Sequence, residues 1–187
     1  MTIAQHTQHL DDGSQIGCTA KILVQATWPH SSAAGKELTL HNGELTVHMY
    51  SPYGLPYGVN PRLIMCWMTQ EAKFRDKLYP LDEARMIPLD ASLSGFMRKL
   101  GLPITGGQKG TIRSLEEQLK RMMGTTIIVE RNTNDGEKIG LHHEATVLID
   151  KATLWWDARQ PDQGTLETSK LQLTREFFNE LVASPVP

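Results

Sequence analysis

Two amphipathic helical stretches that run straight into a β-branched segment constrain this chain more than any other feature. After Ser92, a ready N-cap, residues Leu93, Phe96, Met97 and Leu100 form one apolar stripe, and Gly101 is a natural stop. A loop follows, Leu102-Pro103-Ile104-Thr105-Gly106-Gly107. The next helix is predicted from about Gly110 to Met123, where Ile112, Leu115, Leu119 and Met122 share one helical face. Residues 125–131 then read as a β-branched strand, Asn132-Thr133-Asn134-Asp135-Gly136 as a turn, and residues through Ala145, Val147 and Ile149 to Trp155-Trp156 as one long β segment. Helix, helix and β-hairpin in that order predict an α+β, winged helix-turn-helix fold.

An additional N-terminal hairpin precedes it. Asn42-Gly43 favours a two-residue type I′ turn, which pairs His41 with Glu44, Leu40 with Leu45 and Leu38 with Val47. Leu38, Leu40, Leu45 and Val47 then face one way, and Thr39, Thr46 and His48 the other. A loop dense in Pro, Gly and Tyr leads to a helix starting at Pro61, capped by Asn60 and ending near Lys77, with Ile64, Met68 and Ala72 in its core face. A short strand near residues 86–89, a strand near 168–173 and a closing helix over 174–183 complete the prediction. Residues 1–17 are polar and read as a flexible arm, leaving 18–187 as the winged-helix domain.

The length of 187 residues suits one domain, and an apolar share of 40% with a mean hydropathy of -0.33 excludes collagenous and fully disordered classes. The amino terminus has neither the basic start nor the apolar block of a signal peptide, and no apolar run reaches the ~18 residues of a membrane span. Cys66 sits in an apolar stretch and reads as a buried thiol, far from Cys18, so a cytoplasmic, reducing compartment is expected.

Catalytic patterns fail on spacing. In Gly106-Gly107-Gln108-Lys109-Gly110-Thr111 the lysine precedes the glycine, so the order of a phosphate-binding loop is broken. His142 and His143 are adjacent and diverge on an extended chain, neither cysteine has a Cys-x-x-Cys partner, and there is no Gly-x-Ser-x-Gly elbow. The expectation is a protein without enzymatic activity, cofactor or metal.

Charge is more informative. The chain carries 19 basic and 21 acidic side chains, a net charge of -2. Residues 92–123 nevertheless hold six basic residues, Arg98, Lys99, Lys109, Arg113, Lys120 and Arg121, against Glu116 and Glu117 only. Lys109, Arg113 and Lys120 fall opposite Leu115 and Met122, where a helix face can meet DNA phosphates. The plainer account pairs Glu116 with Lys120, Glu117 with Arg121 and Arg113 with Glu117 on a solvated helix, each stabilising by about 0.2–0.5 kcal/mol.

Five segments in order carry a resemblance: Tyr53-Gly54-Leu55-Pro56-Tyr57-Gly58 with Pro61-Arg62-Leu63; Ser92-Leu93-Ser94-Gly95-Phe96-Met97-Arg98-Lys99-Leu100-Gly101-Leu102; Thr105-Gly106-Gly107; Leu154-Trp155-Trp156-Asp157; and Phe177-Phe178 with Ser184-Pro185-Val186-Pro187. Together they resemble the plasmid-encoded RepA replication initiators. The resemblance implies two winged-helix domains, of which this chain corresponds to the first, acting in dimerisation and auxiliary contacts to the backbone of double-stranded plasmid origin DNA. It also implies host replication initiation proteins as partners. In that family the chain continues past the Pro-Val-Pro segment into a second basic helical domain, whereas here it stops at Pro187. A winged-helix transcriptional repressor and a purely structural dimerisation module are the alternatives.

Overall fold

The computed structural model describes residues 28–32, 35–107, 110–134, 136, 139–155, 162–163 and 169–184. The expected N-terminal arm, Cys18, Lys109, Trp156 and the Pro-Val-Pro segment lie outside them. In chain order the elements are β1 (Glu37–Asn42), β2 (Leu45–Tyr50), α1 (Val59–Asp76), α2 (Leu81–Ala84), β3 (Met86–Pro88), α3 (Leu93–Lys99), α4 (Thr111–Met123), β4 (Thr126–Asn134), β5 (Ile139–Val147), β6 (Ile149–Thr153), β7 (Lys170–Leu173) and α5 (Arg175–Ala183). The fold is mixed α+β with two antiparallel sheets, one ordered β1-β2-β4-β5 and the other β3-β7-β6.

The N-terminal hairpin forms with a different turn. Asn42 pairs with Leu45, Leu40 with Val47 and Leu38 with Met49, so the two-residue loop is Gly43-Glu44. Gly43 has φ of 61° and no described non-glycine residue has a positive φ, the signature of type II′, which needs glycine only at its first central position. The predicted pairing was therefore two residues out. Because side chains alternate with period two, such a slip preserves the faces: Leu45, Val47 and Met49 are buried as the pattern requires.

Placement of the later strands departs further from the prediction. The hairpin after the two helices, β4–β5, extends the N-terminal hairpin as the far half of the four-stranded sheet. The segment expected as one strand from Ala145 to Trp156 is two strands in two sheets, broken at fully buried Leu148. Leu148 donates its N–H to the Thr125 carbonyl at 3.4 Å and accepts from the Thr174 N–H at 3.3 Å, so its backbone is satisfied outside both ladders. Strand β6 ends at Thr153, and half-exposed Trp155 lies beyond it, held through both its N–H and its carbonyl by the Ser169 hydroxyl.

The helices follow the apolar stripes. In α1, Ile64, Met65, Met68 and Ala72 are buried against α4 and α5, and burying each large side chain stabilises the fold by about 1.5–3 kcal/mol. This helix starts at Val59 with Gly58 as N-cap, two residues before the predicted start, so Pro61 lies inside the first turn, where no N–H is needed. Asn60 is freed from capping and its amide donates to the Ser114 hydroxyl on α4 at 3.1 Å. Trp67 and Phe96 meet edge to face at 5.0 Å, joining α1 to α3. Cys66 is a free thiol, only partly buried.

Candidate nucleic-acid interface

Ser92 caps α3 as its sequence predicts, its hydroxyl accepting from the Gly95 N–H at 3.1 Å, and Gly101 follows with φ of 68°. Asp90 closes the same corner. A Cβ on Gly95 would sit 2.2 Å from an Asp90 carboxylate oxygen, so the backbone of α3 approaches that carboxylate as only glycine permits. Partial burial by itself would raise the Asp90 pKa, but the Lys99 ammonium at 3.1 Å and the Ser92 and Ala91 N–H groups hold it below the ordinary carboxylate value.

The start of α4 is wrapped by the preceding loop. The Thr111 N–H donates to the Thr105 hydroxyl and the Thr105 N–H to the Thr111 hydroxyl, both at 3.0 Å. A Cβ on Gly110 would lie 2.3 Å from the Thr105 carbonyl oxygen and 2.5 Å from that of Gly106. The glycines and threonine of this stretch serve loop closure over a helix end, which explains why they fit no phosphate-binding spacing.

At its other end α4 is clamped by the Pro-, Gly- and Tyr-rich loop. The Ser51 and Thr125 hydroxyls donate to the Arg121 carbonyl at 3.0 and 2.8 Å, and buried Gln118 accepts from the Tyr57 N–H at 2.9 Å. Arg121 holds the centre. Its guanidinium donates to Glu117 at 2.6 Å and to the Leu55 carbonyl at 3.0 Å, and its carbon lies 5.0 Å from the Tyr57 ring centroid. Gly54 has φ of 88°, and a Cβ there would come within 2.7 Å of that guanidinium.

The six predicted DNA-contacting residues therefore separate. Arg121 has only 17% of its side chain exposed, and its donors are directed to Glu117 and into the loop. Arg98 and Lys99 are exposed but occupied, Arg98 by Asp162 at 2.8 Å and Lys99 by Asp90 and the Leu89 carbonyl, both at 3.1 Å. Lys109 lies outside the described residues. Arg113 and Lys120 share the exposed face of α4, opposite buried Leu115 and Met122. Arg113 has no ion pair or hydrogen bond among the described residues, and the Lys120 ammonium rests 4.9 Å over the Tyr53 ring. Of the three predicted helix pairs, Glu117–Arg121 forms. Sequence reasoning missed Tyr53 and Tyr57 as partners of α4, and the one signal for them was Gln118, a polar side chain of α4 beside its apolar stripe.

Among the described residues no cluster of His, Cys, Asp and Glu can hold a metal ion, and no helix is long and apolar enough to cross a membrane.

A two-sheet α+β unit with a mostly helical centre has counterparts among solved structures. Crystal structures of domains 2 and 3 of RctB resemble it, one of a selenomethionine derivative with a TM-score of 0.59 at 13% identity, over 89% of this chain and 63% of that one. A second matches with a TM-score of 0.56 at 12% identity, over 87% of this chain and 59% of that one. The chain thus spans less than two thirds of either, and the likeness is one of fold. No curated protein matches. The family is fixed by sequence: the model described as plasmid-encoded RepA protein matches residues 55–187, and the chain belongs to that family of plasmid replication initiators.

Proposed function

We propose that this chain serves as a winged-helix domain of a plasmid replication initiator, which dimerises and contacts the backbone of double-stranded origin DNA without catalysing a reaction. Topology supports the winged-helix reading in a form different from the one the sequence suggested. Helix α1, β3, α3, α4, β6 and β7 follow in order with a sheet order β3-β7-β6, which supports reading the β6–β7 hairpin as the wing and β4–β5 as an insertion. One observation carries the DNA contact: Arg113 and Lys120 lie on the outward face of a helix whose other face is core. Each phosphate neutralised changes the dependence of log affinity on log salt by about -0.9.

Binding of an origin duplex, followed by fluorescence anisotropy across a salt titration, tests this. Arg113→Gln and Lys120→Gln should each flatten the slope by about 0.9 and leave discrimination among DNA sequences unchanged. A parent protein with no salt-dependent affinity refutes the DNA role and leaves the structural dimerisation module.

Dimerisation is supported by the edge strand β5. On one face of it Ile139, Leu141 and Val147 are 84%, 67% and 43% exposed, and its outer edge has no strand partner among the described residues. Apolar side chains along an open ladder are what a second copy pairs with. Host replication initiation proteins and a cytoplasmic location in the bacterium complete the proposal.

A further inference from the structure

Between the C-terminal half of α4 and the free edge of β6 lies an open, largely apolar cleft of about 630 Å³, whose charged groups are Glu116 and Lys120 on one side and Asp150 and Lys151 on the other. Neither the charge pattern of the helix pair nor the family resemblance singles out Lys151. We propose that this cleft seats the sugar–phosphate backbone of the DNA strand that the basic face of α4 meets, with Lys151 as its second cation. The inference rests on the reading of α4 given above and extends it onto β6.

Continuity is the first argument. Lys120 belongs both to the outer face of α4 and to the wall of the cleft, so a strand meeting the one enters the other. From Arg113 to Lys120 the helix rises by about 10 Å, close to the axial rise of three nucleotides along one strand. Charge is the second. The Lys151 side chain is exposed and has no ion pair or hydrogen bond among the described residues. The Tyr53 ring steadies the Lys120 ammonium by one face, at 4.9 Å, and leaves its remaining N–H groups to the cleft.

Three features oppose an anion here, and each is already engaged in the structure. The carbonyls at the end of α4 are a partial negative charge, but that of Arg121 already accepts two hydroxyl donors, Ser51 and Thr125. Asp150 would repel phosphate, but the largely buried Arg85 guanidinium lies 3.4 Å from its carboxylate. Glu116, the third, is likewise engaged with a partner of its own.

The test uses the whole chain with a short duplex of random sequence, by anisotropy over a range of salt concentrations. Lys151→Gln should weaken binding about eightfold at 0.1 M salt and flatten the slope by about 0.9, and Lys151→Arg should restore both. If Lys151→Gln binds as the parent does while Arg113→Gln is weakened, the cleft is not a DNA seat, the edge of β6 is left for a polypeptide strand, and the reading of α4 survives. If the parent shows no salt-dependent binding, the reading beneath fails and this inference with it. If Lys151→Arg stays as weak as Lys151→Gln, the loss comes from local packing and the inference is overturned.

Discussion

The loops that hold α4 and the surfaces that α4 and β5 present are built on opposite principles. Where the loops meet α4, side chains are consumed internally: Thr105 and Thr111 cap each other, Gly54 and Gly110 admit neighbours where a Cβ would collide, and Arg121 lies under Tyr57. On the surfaces, Arg113, Lys151 and the β5 residues Ile139 and Leu141 face solvent. The residues that make the family recognisable belong largely to the first group. A motif records what the fold needs at a tight place, whereas the residues proposed here for contact are ordinary cations and aliphatics on the surface.

The largest test of that contrast is Gly110→Ala. Its backbone φ of -74° is ordinary, so the penalty is purely steric and falls on the backbone carbonyls of Thr105 and Gly106, which cannot swing away like a side chain. Overpacking of that kind costs about 3 kcal/mol, read as a fall in melting temperature with DNA affinity per folded molecule unchanged. A loss below about 0.5 kcal/mol would place this loop among the tolerant surfaces.

Arg121→Gln against Arg113→Gln sharpens the comparison within one helix. Removing the tether leaves the Leu55 carbonyl without its donor and should cost about 2 kcal/mol of stability with no change in salt slope. Arg113→Gln should do the reverse, leaving stability within about 0.5 kcal/mol and flattening the slope. Matching profiles for the two would erase the distinction.

On the β5 surface, Leu141→Asp should raise the dimer dissociation constant at least about tenfold, a change of 1.4 kcal/mol, without lowering the stability of the isolated subunit. Sedimentation equilibrium decides it, and a variant that assembles like the parent removes β5 from the interface.

A smaller effect is expected at Asp90, whose pKa is lowered in the fold. Its contribution, about 1 kcal/mol from hydrogen bonds to the Ser92 N–H and Lys99, is present above the ordinary carboxylate pKa near 3.9 and disappears as pH falls through the lowered native value. Asp90→Asn should therefore be less stable at neutral pH and converge with the parent in acid; a constant difference at all pH values would assign the loss to packing. Smallest of all is Asp162→Asn. An exposed ion pair contributes at most about 1 kcal/mol, so releasing Arg98 should tighten DNA binding by less than fivefold, and no gain would show that Arg98 does not face the DNA.

How far the sequence could be read follows from the range of each interaction. The Ser92 cap, the Gly101 stop and the apolar stripes of α1, α3 and α4 depend on neighbours three or four residues away, and all are present in the structure. The inward face of the first hairpin was legible because a period of two survives even a shifted register. Sheet membership was not legible. Ala145, Val147 and Ile149 alternate without interruption, yet Leu148 sends the chain from one sheet to the other because its backbone partners, Thr125 and Thr174, are each more than twenty residues away along the chain. The same limit divided the six cations. By itself the sequence determined that α1, α3, α4 and α5 are helices, though not the four-residue α2, and it determined which faces are apolar and where positive charge gathers, since those depend on local spacing. Only the tertiary structure decided that Arg121 belongs to the loop from Ser51 to Gly58, that Arg98 meets Asp162 and that Lys151 lies across a cleft from Lys120. These pairings join residues that are distant along the chain, and the packing of the core is what brings them within reach.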